Sequence, residues 1–374
     1  MIVQEDGPPR AGTDAPTAVD MFCGAGGLSL GLSAAGFNCI RAFDIDTPST
    51  TTYKSNLGNH AQVADARDVK SSDFAIPTSS PRSELDLLAG GPPCQGFSKQ
   101  KRGAHLGDPR NELVLEHLRL IQESHPRAFL MENVAMLAGV RGAHLVERFN
   151  ALADYELVGH FYLAADYGVA QTRERFVLVG IRRDQPGSFF VPPPSSRPWP
   201  TVGDALQGLP SPPSNGDPHP TVANHQASKM NKLNQERFSY VPQGGGWQDI
   251  PFEKRLKCHQ VVNTKKGGWP DVYGRLRLDG QAPTITGGFD SVSRGRYGHP
   301  IENRAITPRE AARLQGFPDW FVFHGNRHEV RHQIGNAVPA PLGMEIGKSI
   351  LAALNGNSER REREAVQLGL FGGK

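Results

Sequence analysis

Cysteine is scarce in this 374-residue chain: Cys23, Cys39, Cys94 and Cys258 lie far apart, with no C-x-x-C pair among them. That excludes a disulfide framework and the paired-thiol zinc sites, so no metal is expected, and it leaves room for a reactive thiol. Long apolar runs are missing too. None approaches the roughly 20 residues a membrane helix needs, so no membrane association is expected. The opening MIVQEDGPPRAGTDAP lacks the apolar core of a signal peptide, which predicts a soluble, cytoplasmic protein. Charge of one sign is also lacking. A formal net charge of +3 is too small to name a polyanionic partner by itself. Its distribution is more telling, because Arg and Lys gather in three glycine- and turn-rich stretches: Lys99 to Arg110, Gln171 to Arg183, and Lys254 to Arg304. Each suits either phosphate contacts or a solvated surface.

The chain exceeds the roughly 300 residues at which single cores stop growing, so a large domain with a smaller one is expected. After a leader (1–16), Thr17 to Phe22 reads as a strand that meets CGAGG and passes into the helical LSLGLSAAG. Cys39 to Phe43 is a second strand, closed by Asp44 and Asp46, with a helix over Ser49 to Asn56. Leu85 to Ala89, Ala128 to Met131 and Phe176 to Ile181 read as further strands, with helices over Asn111 to Glu123 and Leu145 to Ala153. Strands alternating with such helices predict an α/β fold with a doubly wound, mostly parallel sheet. From about Gln185 the chain turns dense in Pro, Gly, Ser and Asn until about Asn303, and Thr307 to Leu314 and Pro341 to Leu354 restore helical patterning. The layout is one α/β domain (17–185 and 304–355), an inserted loop-rich domain (186–303) and a tail (356–374).

A glycine turn between a first strand and its helix lets backbone approach a ligand at the carboxyl edge of the sheet. FCGAGG occupies that position, although its glycines would equally permit tight helix packing. A carboxylate ending the second strand can accept both hydroxyls of a ribose, which makes Asp44 a candidate, and Asp65 could accept from an adenine amino group. A nucleoside with no evident phosphate-binding cation points to S-adenosylmethionine. In GGPPCQGFS, two prolines hold Cys94 stiff and exposed at a strand end. A thiolate there is a strong nucleophile. C5 of cytosine becomes reactive only when a nucleophile adds at C6 and the ring is activated at N3. Glu132, in ENV at the end of the neighbouring strand, is placed to share that proton.

In this order, DMFCGAGGLSLG, FDID, GGPPCQGFS, ENV, QTRER, RAITPREAARLQGFP and QIGNAVP resemble the DNA (cytosine-5)-methyltransferase family over nearly the whole chain. The resemblance implies a Rossmann-like methyltransferase fold, S-adenosylmethionine as cofactor, Cys94 as nucleophile and Glu132 as its N3 partner. It puts Phe22, Gly24, Gly26, Asp44, Asp65, Pro93 and Asn336 at the cofactor. Asp44 stands where the family usually has glutamate, and Ile45 replaces an aromatic, so altered adenine contacts are expected. Arg173 and Arg175 would hold the flipped cytosine's carbonyl oxygen and a neighbouring phosphate. Because a base inside a duplex cannot present C6, it must be flipped out. The segment Ser98 to Asn111 has the composition of a lid, reaching DNA through Lys99, Lys101 and Arg102, and Gln95 and Ser98 are further expected DNA contacts.

Target recognition is expected in the insert, where Thr284 and Thr286 fit the family's T-[IL]-T element. Arg275, Arg277, Arg294 and Arg296 are placed to reach guanine edges or phosphates. The partner is thus double-stranded DNA and the setting the nucleoid, with the enzyme acting as a monomer. A tRNA cytosine methyltransferase would share the catalytic residues, but its Cys-Phe-Thr signature is absent between Pro186 and Asn303. A catalytically silent relative would lack Pro-Cys or ENV, and both are intact. At the C-terminus, QLGLF (Gln367 to Phe371) resembles the peptide by which bacterial replication proteins dock on the DNA sliding clamp.

Overall fold

A computed structural model of the chain describes residues 7–9, 12, 14–76, 83–93, 112–139, 142–261 and 269–357. Its strands are β1 (Thr17–Met21), β2 (Asn38–Asp44), β3 (Ala61–Val63), β4 (Leu87–Gly90), β5 (Ala128–Val134), β6 (Tyr155–Leu163), β7 (Gln171–Thr172), β8 (Glu174–Arg182) and β9 (Ala282–Pro283). Seven form one sheet in the order β3-β2-β1-β4-β5-β8-β6. Pairings from β3 to β5 are parallel, and β8 runs antiparallel between β5 and β6. The chain winds outward from β1 on one side and from β4 on the other, as a doubly wound sheet requires. The helices are α1 (Gly27–Ala35), α2 (Thr47–Leu57), α3 (Leu113–Ser124), α4 (Ala143–Glu147), α5 (Val202–Leu206), α6 (Lys232–Ser239), α7 (Lys257–Gln260), α8 (Pro308–Leu314), α9 (Arg327–Asn336) and α10 (Ala340–Leu354). None is long and apolar enough to cross a membrane, among the described residues.

The period of two along each central strand divides its side chains between two cores. Val19, Met21, Leu88, Phe129 and Met131 face a layer with α3 and α4. Ala18, Leu87, Ala89, Ala128 and Leu130 face α1 and α10. α1 and α10 pack closely because α1 carries glycine at the crossing: a Cβ on Gly31 would lie 2.4 Å from the Ala340 carbonyl oxygen. At the amino edge of the sheet, buried Arg127 pairs with Asp86 and donates to Gln185 Oε1 (2.7 Å) and the Leu354 carbonyl (2.9 Å). Asp86 in turn accepts from the Thr17 amide at 2.8 Å. One ion pair thereby ties β1, β4, β5 and the end of α10 together.

Near the opposite edge, buried Asp20 accepts from Ser29 Oγ (2.6 Å), which accepts from Tyr53 Oη (2.9 Å), itself 2.9 Å from His60 Nε2. The other carboxylate oxygen of Asp20 has no partner, and burial raises the group from 3.8 to about 7.

The strand at Tyr155–Leu163 was not expected, because an edge strand interrupted by Gly159 and His160 and carrying the exposed Phe161 shows neither an apolar run nor clean alternation. The helix expected over Leu145 to Ala153 is instead α4 followed by a 3-10 turn at Arg148–Ala151. α9 was also unforeseen. Its apolar face is thin, but Asn326 and Glu329 form a capping box at its start. In residues 186–303, a small core of Phe238, Val241, Trp247, Ile250, Tyr273 and Val292 stands apart. Leu276, Ile285, Phe289 and Tyr297 instead join α8 and α9 in a shared core.

Two outcomes are expected. Gly31→Val should lower stability in urea denaturation by about 2 kcal/mol or more, since backbone must move to admit the side chain. Gly280→Ala, whose Cβ would meet only Arg277 Cβ at 3.7 Å, should not. For Asp20, the folded state holds its proton more tightly than the unfolded chain. Its favourable contribution is therefore full below pH 3.8 and lost as pH rises through about 7. Asp20→Asn should gain stability relative to the parent across that window, by a few kcal/mol at most; parallel pH profiles would refute the assignment.

Candidate active site

The site lies at the carboxyl edge, at the switch point between β1 and β4. After β1 the chain turns at Phe22, which holds a left-handed φ of 59°, and Gly24 and Gly26 follow at 53° and 100°. Left-handed backbone is strained for phenylalanine and concentrates at functional turns. The turn is fastened to β2: the Gly24 amide donates to Asp44 Oδ2 (2.7 Å) and the Asp46 amide to Asp44 Oδ1 (2.8 Å). Burial pushes the Asp44 carboxyl up, against these two hydrogen bonds. The glycines thus divide their work. Gly24 and Gly26 shape the turn, while the next two, Gly27 and Gly31, admit the C-terminal chain, a Cβ on Gly27 lying 2.4 Å from the Val338 carbonyl.

After Asp44, Ile45 is 65% exposed, and Val63, the partner of Asp44 at the end of β3, is 49% exposed. An exposed apolar side chain there suits one face of a flat ring. Asp65, beyond Val63, is clasped by Arg67 through two hydrogen bonds (2.9 and 2.6 Å), which lower its pKa. Asn336 is exposed at the end of α9, and Pro93 is half-buried just beyond β4.

The second half of the site is built by β4, β5 and β8. Glu132 is buried on β5 and takes an ion pair from Arg175 Nε of β8 at 2.8 Å. Its Oε2 stands 3.2 Å from where a Cβ on Gly91 would lie. Asn133 donates to the Pro92 carbonyl at 2.9 Å. The strand bearing Glu132 therefore also holds the proline turn that leads into residue 94. Asn133 was not among the expected site residues, although its place in ENV was the available signal.

Arg173 occupies a different setting from the one expected. It is 1% exposed, and its Nη1 and Nη2 donate to the Ile285 (3.0 Å) and Gly335 (3.1 Å) carbonyls. Burial and the nearby Arg175 push its pKa down. Its role as a substrate contact is corrected to that of a clasp between β8, the 284–286 segment and α9. Gln171, likewise unforeseen, accepts from the Ile285 amide (2.8 Å) and donates to Gln315 Oε1 (2.8 Å).

Within that segment, Thr286 Oγ1 lies 2.9 Å from Tyr297 Oη, and Thr284 is half-buried beside Thr172. Arg275 is corrected as a DNA contact. It is buried on the Phe238 ring, 4.0 Å from its centroid, and donates to Val241, Phe238, His299 and Glu302 carbonyls and to Asn303. Arg296 is occupied similarly by the Gly244 and Gly245 carbonyls (both 2.7 Å). Arg277 is paired with Asp279 at the surface, and Arg294 is exposed. Cys94, Gln95, Ser98, Lys99, Lys101, Arg102, the segment Ser98 to Asn111 and the tail Gln367 to Phe371 lie outside the described residues. No cluster able to hold a metal occurs among the described residues.

Comparison with known proteins identifies the family. Residues 17–352 match the family described as C-5 cytosine-specific DNA methylase. The chain is 35% identical to the Type II methyltransferase M1.HphI of Haemophilus parahaemolyticus, over 90% of this chain and 86% of that one. It is 33% identical to the Type II methylase M.HgiDII of Herpetosiphon aurantiacus, over 92% and 97%. Among solved structures, a protein proposed to be a DNA modification methyltransferase, encoded within an E. coli prophage, aligns with a TM-score of 0.71 and 28% identity over 91% of this chain and 100% of that one. The S. pombe Dnmt2 methyltransferase, at 17% identity over 91% and 99%, shares the fold with a TM-score of 0.58. The chain belongs to the C-5 cytosine-specific DNA methylase family and is a DNA (cytosine-5)-methyltransferase.

Proposed function

We propose that the protein methylates C5 of a cytosine flipped out of a specific double-stranded DNA sequence, using S-adenosylmethionine and a covalent Cys94 adduct, as the modification enzyme of a restriction-modification system. The observation that carries this reading is the Glu132 carboxylate, fixed by Arg175 at 2.8 Å on the strand whose next residue holds the Pro92 carbonyl. That arrangement supports the reading because it holds a carboxylate beside the proline turn that precedes residue 94 in the sequence.

The Cys94 thiolate adds to C6 of the base while Glu132 shares a proton with N3, so that the negative charge pushed into the ring is neutralised where it develops. Arg175 orients the carboxylate and is the remaining candidate for the cytosine carbonyl oxygen. S-adenosylmethionine, when bound, supplies the methyl that C5 takes, and leaves as S-adenosylhomocysteine. Loss of the C5 proton to a base and expulsion of the Cys94 thiolate from C6 then restore the aromatic ring. Toward the cofactor, Asp44 fits ribose hydroxyls, the exposed Ile45 and Val63 fit the adenine face, and Phe22, Gly24, Gly26, Pro93 and Asn336 line the remainder. For Asp65 to reach an adenine amino group, Arg67 must share it. Residues 186–303 serve as the target-recognition domain, with Thr284 and Thr286 bracing the backbone near the flipped base and Arg294 reaching the DNA.

Labelled methyl should pass from S-adenosylmethionine into duplex DNA and not into tRNA, and Cys94→Ala should abolish transfer. A duplex carrying 5-fluorocytosine at the target, where no C5 proton can leave, should give a denaturation-resistant protein–DNA adduct with the parent. Arg175→Ala should lower the rate of transfer about 100-fold or more, with cofactor affinity retained. No label in DNA would overturn the reading. For the tail, we propose docking on the sliding clamp: a peptide containing Gln367 to Phe371 should bind purified clamp, and one with Leu370→Ala and Phe371→Ala should not.

A further inference from the structure

α9 carries its charges in a pattern that helix stability alone does not favour. Arg327 and His328 stand in its first turn, where the helix dipole repels cations, and each has a like partner one turn on, Arg331 and His332. The two histidine rings lie with centroids 4.3 Å apart, tilted by 37°. Besides Glu329 of the capping box, a carboxylate from outside the helix compensates: Asp290, 7% exposed, accepts from Arg327 Nε (3.0 Å) and Arg331 Nη1 (3.2 Å). Arg331 Nε is buried without a partner. Arg327, His328 and His332 are all exposed. Asp290 fixes the two arginines on one face without covering it.

The face is continuous with the 284–286 segment. A Cβ on Gly335 of α9 would lie 2.4 Å from the Gly287 amide nitrogen, so helix and loop are in backbone contact. The His332 ring stands 3.0 Å from where a Cβ on Gly287 would be, and the Arg294 side chain 3.1 Å from the same point on Gly288. Arg327 and Arg331 thus share one buried acid, His332 and Arg294 lie beside the adjoining Gly287 and Gly288, and Asp46 acts on His332. The same helix ends at Asn336, proposed above to line the cofactor site.

We propose that the exposed face of α9, formed by Arg327, His328 and His332 together with Arg294 of the adjoining loop, docks the phosphate backbone of the duplex flanking the target base. The Arg327 guanidinium, held in place by Asp290, meets phosphate oxygens as a preset fork. Such contacts position the DNA and carry no sequence information. Because α9 runs from this face to Asn336, backbone docking and the cofactor side of the site share one rigid element.

The inference rests on double-stranded DNA being the substrate, and labelled-methyl transfer by the parent protein checks that separately. Binding of full-length protein to a random-sequence duplex is measured by fluorescence anisotropy over a range of salt concentrations. Arg327→Ala with His328→Ala should weaken binding about 10-fold and make the slope of log K against log salt shallower by about 1 for each phosphate no longer neutralised. Arg327→Glu should weaken it further. Lys348→Ala, on α10, should change neither quantity. Melting temperature and S-adenosylmethionine affinity should match the parent, which separates a docking defect from a folding defect. Unchanged affinity and salt slope in both α9 variants would overturn the proposal, as would weakening confined to a single DNA sequence.

Discussion

The buried guanidinium of Arg173 is the interaction on which the arrangement of the site depends. A helix leaves its last carbonyls without intrahelical donors, and in α9 those of Ile334 and Gly335 belong to buried residues, where unpaired carbonyls are costly. Arg173 donates to the Gly335 carbonyl and Gln315 Nε2 to that of Ile334 at 2.7 Å. The positive charge also suits the negative end of the helix dipole. With its other arm Arg173 takes the Ile285 carbonyl, while Gln171 takes the Ile285 amide. Two side chains two residues apart therefore fix three things in register: the start of β8, the end of α9 with Asn336, and the threonine segment. Arg175, two residues further along β8, faces Glu132. One short stretch of chain thereby links Glu132, Asn336 and the threonine segment.

The two edges of the sheet are stabilised in opposite ways. At the amino edge, Arg127 and Asp86 are buried together and surrounded by further partners, the condition under which a buried ion pair is not destabilising. Little can move there. At the carboxyl edge, the strands give way to turns whose backbone is held by single side chains: Asp44 holds Gly24, and Asn133 holds Pro92. Each such side chain stands at the end of a central strand, where its position is fixed by the ladder beneath it. Precision at the site comes from the rigid sheet, and room for ligand from the glycine and proline turns above it.

Much of this was legible in the sequence, for identifiable reasons. The central strands are buried on both faces, so they appear as short apolar runs, and Asp44 and Glu132 were visible because they end those runs. The edge strands β3 and β6 were not legible, since an edge needs neither an apolar run nor strict alternation. α9 escaped notice because its hydrophobic face is reduced to Val330 and Ile334 between charged residues, and only its capping box marked it. The glycines after β1 could not be sorted from sequence. Ligand approach and helix packing demand the same residue, and only the position of α10 showed that Gly27 and Gly31 serve packing.

The arginines were the least readable, and the reason is general. Residues 186–303 have little regular structure, so their buried carbonyls lack ladder partners and must be satisfied otherwise. Arginine, with five donors on a long stem, is suited to that. Arg275 donates to four carbonyls across this region, and Arg309, wholly buried, to those of Ala223, Pro318 and Phe321. An arginine-rich, glycine-rich stretch in such a protein therefore has two explanations that composition does not separate: contact with nucleic acid, and cross-bracing of irregular backbone. Burial separates them. Arg173, Arg275, Arg296 and Arg309 are held by the fold, whereas Arg294 and Arg327 stay exposed on one continuous face beside the threonine segment. A duplex approaching the carboxyl edge meets that exposed subset, and the braced arginines determine the shape it meets.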